Sequence, residues 1–129
     1  MKKIFILAIL SFFGCKDEPI CYVDQNNAGK QIYDLEEATC FIALRLNKKA
    51  TDLDSIRNAL IAEENFMIKI GLISEEPIIE NENEPPIELD MMELVKYAQE
   101  EEKVDLSTDD LLEIYNTETE YAKFIGVVE

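Results

Sequence analysis

Histidine and tryptophan are both absent from this chain of 129 residues, and each absence removes a class of chemistry. Without an imidazole there is no base of that kind to activate a hydroxyl or thiol, so Ser-His and Cys-His catalysis is excluded. The serines beyond the first fourteen residues are Ser55, Ser74 and Ser107, and two of these stand where helices would begin. Chemistry that needs only two carboxylates, such as glycoside hydrolysis, has abundant acids to draw on. A chain this short and without tryptophan is not expected to build the wide cleft that such substrates need. No catalytic residue is assigned, and an enzyme is not expected. Basic residues are scarce as well, 12 Lys and Arg against 28 Asp and Glu, for a net charge of −16. Such a chain is repelled by phosphate backbones and anionic headgroups, which argues against nucleic acid and attracts a basic protein or a cation. With 47% apolar residues it is nonetheless no disordered acidic tail.

The one long apolar run lies at the start. Lys2 and Lys3 precede unbroken apolar residues 4–10, resumed by Phe12 and Phe13, the order of an export signal. The run is roughly half of what a helix needs to cross a bilayer. Gly14 followed by Cys15 resembles the lipobox of bacterial lipoproteins, with Phe12 and Phe13 where Leu and a small residue usually stand. The resemblance implies removal of residues 1–14, a lipid on Cys15, and attachment to the cell envelope at the outer membrane, facing the periplasm or the cell surface. Lys16, Asp17 and Glu18 look like the acidic tag that Bacteroidota place behind the anchor cysteine of surface lipoproteins. Without the leader, which holds two lysines and no acid, the balance is 10 basic to 28 acidic residues, or −18. Contact with the membrane is therefore expected through the lipid and not through a basic surface.

The remaining 115 residues are enough for one modest domain, and they repeat. "DLEEATCFIAL" from Asp34 aligns with "DMMELVKYAQE" from Asp90, and "DSIRNALIAEENFMIKIGLI" from Asp54 aligns with "DDLLEIYNTETEYAKFIGVV" from Asp109. The offsets are 56 and 55 residues, the signature of one supersecondary unit used twice. Each unit reads as two helices. The first opens on an Asp-x-x-Glu pattern similar to a capping box (Asp34 with Glu37, Asp90 with Glu93) and carries Leu35, Ala38, Ile42, Leu46 or Met91, Leu94, Ala98 on its apolar face. The second starts near Thr51 and Asp52, or at Ser107, with stripes of Ile56, Leu60, Met67, Ile70 and of Leu111, Tyr115, Ala122, Ile125. Gly71 and Gly126 supply left-handed turns at the ends, after which Leu72 and Ile73, or Val127 and Val128, fold back. The expected fold is all-α: two tandem helical hairpins packed as a small four-helix bundle. Its parts are the leader (1–14), a tether arm (15–33), repeat 1 (34–73), an acidic proline-containing linker (74–88) and repeat 2 (89–129).

In an oxidising envelope the two cysteines beyond the anchor, Cys21 and Cys40, read as a disulfide. Cys40 aligns with Lys96, which predicts an outward-facing position where a bond to the arm accounts for the thiol better than exposure does. No metal site and no cofactor is expected. Zinc ligands run out once Cys15 is lipidated and Cys21 paired, "DLDS" and "DLSTDD" lack the glycine and glutamate of a calcium loop, and the acids at 80–84 read first as solvated linker. Glu63 and Glu118 align one turn past Leu60 and Tyr115, which suggests a repeated duty beside the inward stripe. They and Tyr97, Tyr115 and Tyr121 are the candidate partner-binding residues, although the aromatic positions read first as core or groove wall. In style, small, acidic and helical, the chain resembles bacterial immunity proteins, which implies a protein-binding module that neutralises a basic secreted toxin. An accessory lipoprotein of a surface uptake or secretion complex is the alternative. A deep apolar pocket ringed by Glu63, Glu118 and tyrosines would instead favour a small-ligand or cation binder.

Overall fold

The computed structural model describes residues 19–74 and 87–128. The leader, Cys15 with its acidic tag, and the acids at 80–84 lie outside the described residues, as does the linker from 75 to 86. What is described is all-α: four helices and two single 3-10 turns, with no strand among the described residues. The helices are α1 (Leu35–Arg45), α2 (Leu53–Lys69), α3 (Met91–Glu100) and α4 (Thr108–Ile125), and the turns are Gln25–Asn27 and Ala50–Asp52.

Three helices begin where the short side-chain oxygens stand. Asp34 accepts the Glu37 N–H at 2.9 Å, Asp90 accepts the Met92 N–H at 2.9 Å, and Ser107 accepts the Asp110 N–H at 3.1 Å, each satisfying a donor that the helix itself leaves free. Helix α2 departs from expectation. Asp52 makes no side-chain bond to the helix it precedes; its carboxylate accepts the Lys49 N–H at 2.9 Å and closes the 3-10 turn before it. The reciprocal half of the first capping box is also missing. The Glu37 carboxylate does not serve its own helix end but is held by the Tyr121 hydroxyl at 2.8 Å and by Asn27 Nδ2 at 2.5 Å. Two tertiary bonds to a carboxylate outweigh one local bond to its own backbone.

At the other ends the glycines behave as expected. Gly71 and Gly126 have φ of 84° and 85°, and the following residues bond back by the same step, Leu72 N–H to the Met67 carbonyl and Val127 N–H to the Ala122 carbonyl. These are Schellman closures. Gly126 carries a second constraint, because a Cβ there would meet Gly29 Cα at 3.1 Å. The arm lies across this helix end, with Gly29 N–H on the Phe124 carbonyl at 2.9 Å and Gln31 N–H on the Ile125 carbonyl at 2.6 Å. Carbonyls that would otherwise need water are thereby satisfied by the arm.

Helices α2 and α4 each contact all three other helices. Their buried faces are Ile56, Ala59, Leu60, Ala62 and Phe66 on α2, and Leu111, Ile114, Tyr115, Tyr121 and Ile125 on α4. Alanines at 38, 43, 59, 62 and 98, all at 0% exposure, let the helices approach closely. On the outside, Arg57 grips Glu36 with two bonds of 2.7 Å and joins α2 to α1. That guanidinium holds the Glu36 carboxyl below its ordinary range.

Cys21 and Cys40 are bonded, with Cα atoms 5.8 Å apart. The expected outward placement of Cys40 is corrected: it is 4% exposed, whereas Lys96 at the aligned position is exposed. The difference comes from the arm, which covers this part of α1 through the disulfide and through Asn27 on Glu37. No such arm is described against α3.

Candidate functional site: an apolar cavity walled by an acid pair

The Schellman closures turn Ile73 and Val128 towards the gap between α2 and α4, and the arm brings Tyr33 to the same place. Between them opens a cavity of about 680 Å³, within the range of small-molecule sites. Helix α2 contributes Leu60, Glu63, Glu64 and Met67, helix α4 contributes Glu118, Thr119 and Ala122, and Tyr33, Leu35, Ile73, Val127 and Val128 complete the wall. Most of this lining is apolar, and none of the residues named carries a positive charge.

Glu63 is the unusual member. It stands at the inward stripe of α2, three residues after Leu60, and is 8% exposed. Glu118 lines the same wall from α4 and interacts with Glu63, and Glu118 accepts the Tyr33 hydroxyl at 2.5 Å. Burial first, then the neighbouring Glu118, push the Glu63 carboxyl up to about 10. The physical reason is that a buried carboxylate beside a second carboxylate cannot ionise cheaply. Glu63 is thereby held towards its protonated form. Tyr33 is 46% exposed, and its hydroxyl reaches the cavity wall at Glu118. Desolvation, then Glu118 and Glu63, raise it above the ordinary phenol range. The result is a cluster of three polar groups, Glu63, Glu118 and Tyr33, set in a mostly apolar wall.

The structure brings two of the five candidate residues together at this cavity, Glu63 and Glu118. Tyr115 lies behind them at 2% exposure, its hydroxyl donating to the Ala59 carbonyl at 2.9 Å. Burial, then the charges of Glu63 and Glu118, raise its phenol. Tyr121 is wholly buried, bonded to Glu37 and packed on Phe41 at 5.4 Å between ring centres. Burial and the bond to Glu37 raise it too. These two rings are core and stand behind the surface. Tyr97 is half-buried on α3, against Phe66 at 5.3 Å and beneath Lys69 Nζ at 5.2 Å, and it does not line the cavity. Sequence reasoning missed Tyr33. Its one local signal is an apolar residue directly before a helix cap, where such residues often staple the first turn.

Among the described residues no group of three or more His, Cys, Asp or Glu side chains is placed to hold a metal ion, and no helix is long and apolar enough to cross a membrane. Comparison with protein-family models, with curated proteins and with solved structures finds no match for this chain.

Proposed function

We propose that this chain is a lipid-anchored binding protein of the cell envelope, and that its working site is the cavity between α2 and α4. One observation carries the reading: a space of about 680 Å³, mostly apolar, with the buried Glu63 and the half-buried Glu118 in its wall. A cavity of this size leaves apolar side chains without partners on one side, which a core of this quality elsewhere avoids. A ligand with an apolar body regains those contacts. The lipid anchor rests on Lys2, Lys3, the apolar run and Cys15. Incorporation of labelled palmitate checks it, and label that persists after Cys15→Ser removes the anchor reading. The cavity is tested by displacement of a solvatochromic dye with neutral octanol. Ala122→Phe, which fills the space from α4, should abolish displacement; displacement that survives it rejects the cavity as the site.

We further read the four helices as two copies of one hairpin, packed as a four-helix bundle. Several pairings support this. Phe41 packs on Tyr121 at 5.4 Å and Tyr97 packs on Phe66 at 5.3 Å, and these are the same contact after exchange of the aligned positions. The cavity wall likewise holds aligned partners: Glu63 with Glu118, Glu64 with Thr119, Met67 with Ala122 and Ile73 with Val128. Such a site lies on the pseudo-two-fold axis between the copies.

A second reading keeps the immunity-type role, with a basic protein as partner. The observation that favours it is the excess of 28 acidic over 12 basic residues, which would speed encounter with a cationic surface. Affinity capture with the lipid-free form at graded salt tests it, and binding indifferent to salt counts against it.

A further inference from the structure

We propose that the cavity takes a small organic cation, an ammonium group on an apolar stem, whose head group pairs with Glu63 and Glu118. The inference rests on the cavity being a ligand site and names the chemistry of the ligand. The walls divide the work. Leu60, Met67, Ile73 and Val128 offer an apolar channel for a stem, and a chain of about eight carbons with its head group fits such a volume. The polar groups of the wall are acids and hydroxyls. An anionic head would meet Glu63, Glu64 and Glu118 with nothing to balance them, and a neutral head would gain one hydrogen bond at most.

A cation gains more, because the pair lacks one. The groups that face Glu63 are Glu118 and Tyr115 from α4, Tyr33 from the arm and Glu64 from its own helix. The Tyr115 hydroxyl is committed to the Ala59 carbonyl and cannot also donate to Glu63. Of the cations on α2 and α4, Arg57 is paired with Glu36 and Asp54, Lys69 lies over the Tyr97 ring, and Lys123 near the end of α4 forms no ion pair with Glu63 or Glu118. The acid pair therefore has no counter-ion from these helices. An ammonium arriving in the cavity can supply the counter-charge. The Glu63 O–H bond then breaks, its proton leaves to solvent, and the carboxylate so formed accepts N–H bonds from the ligand beside Glu118. One charge enters and one leaves, so the wall keeps the same net charge before and after.

The test is calorimetric titration of the lipid-free protein with octylamine, octanol and octanoate in two buffers of different ionisation enthalpy. Alkylamines stay protonated from about pH 6 to 9, so the ligand's own titration does not intrude. The expected result is binding of octylammonium at least tenfold tighter than octanol, octanoate weakest, and release of about one proton per ligand. Affinity for the amine should then rise about tenfold per pH unit through that window. Glu63→Gln should lose the proton release and most of the preference for the cation; Glu118→Gln should lose the preference as well. Glu93→Gln, on the exposed face of α3, should change neither. Octanol and octylammonium binding equally, or binding of the amine without proton release, overturns the inference while leaving the cavity as a ligand site. No binding of any of the three overturns both.

Discussion

Replacing Glu63 by glutamine should make the protein more stable, and increasingly so as pH rises. The carboxyl is 8% exposed and is pushed up to about 10 by burial and by Glu118. In the unfolded chain it returns to the ordinary carboxylate value of 4.5. Between those limits the folded state holds a proton that the unfolded state has released. Unfolding thus sheds a proton, and stability falls with rising pH, opposite to the usual behaviour of a paired carboxylate. Its contribution is complete below the unfolded value and is lost progressively as pH rises through the folded one. One proton sets a ceiling of about 1.4 kcal/mol per pH unit, or about 4 kcal/mol from pH 5 to 8. Relaxation and water entry around the site reduce this to about 1–2 kcal/mol at the effective dielectric of real interiors. The glutamine side chain keeps the size and stays neutral, so the substitution removes the titration and little else. Urea unfolding followed by far-ultraviolet circular dichroism, for both proteins at each pH, gives the difference directly, and acids remote from the Glu63–Glu118 pair cancel in it. A difference that stays flat from pH 5 to 8 would show that Glu63 ionises alike in both states and would refute the argument.

The disulfide closes a loop with a sequence separation of 19, so the double change Cys21→Ser and Cys40→Ser should lower stability by about 3 kcal/mol on the chain-entropy view; reductant should reproduce the loss in the original protein and do nothing to the variant. Gly126→Ala should lower the Tm more than Gly71→Ala. Both force alanine into the left-handed region at about 1–2 kcal/mol, but only at Gly126 does the new Cβ press on backbone, Gly29 Cα at 3.1 Å. Tyr121→Phe should cost about 1–2 kcal/mol, because its hydroxyl bonds the Glu37 carboxylate and accepts the Asp34 N–H; equal midpoints in urea would mean that water replaces it fully.

What was legible in the sequence was local. The caps at Asp34, Asp90 and Ser107 and the left-handed glycines depend on neighbours within a few residues, and they stand where the pattern put them. The all-α class followed from the 3-and-4 spacing of apolar residues for the same reason. What failed was decided at long range. Glu37 follows a capping pattern, yet its carboxylate is taken by Tyr121, 84 positions away. Alignment with Lys96 puts Cys40 outside, and the analogy breaks because the arm covers α1 at that point. The cavity was anticipated only as a conditional. Glu63 and Glu118 could be named from their alignment, but that they meet depends on how α2 crosses α4. Tyr33 could not be named at all, since its place is set by the bonds that lay the arm on the end of α4.

On the duplicated-hairpin reading, the arm resolves a difficulty. Two aligned residues that touch each other must sit close to the axis relating the copies, and Glu63 and Glu118 are then such a pair. An acid retained at that position meets its own copy, so a symmetric arrangement would set two like charges against each other. A proton on one of them removes the conflict, and the arm makes the two positions unlike. It precedes α1 and places Tyr33 so that its hydroxyl donates to Glu118 and not to Glu63, so the two acids have different surroundings. The same segment carries Cys21 into its bond with Cys40 and satisfies the carbonyls at the end of α4. Read from the sequence, residues 15–33 are a tether between a lipid and a domain. In the fold their described part is also a wall of the cavity, and through Tyr33 it makes the surroundings of Glu118 differ from those of Glu63.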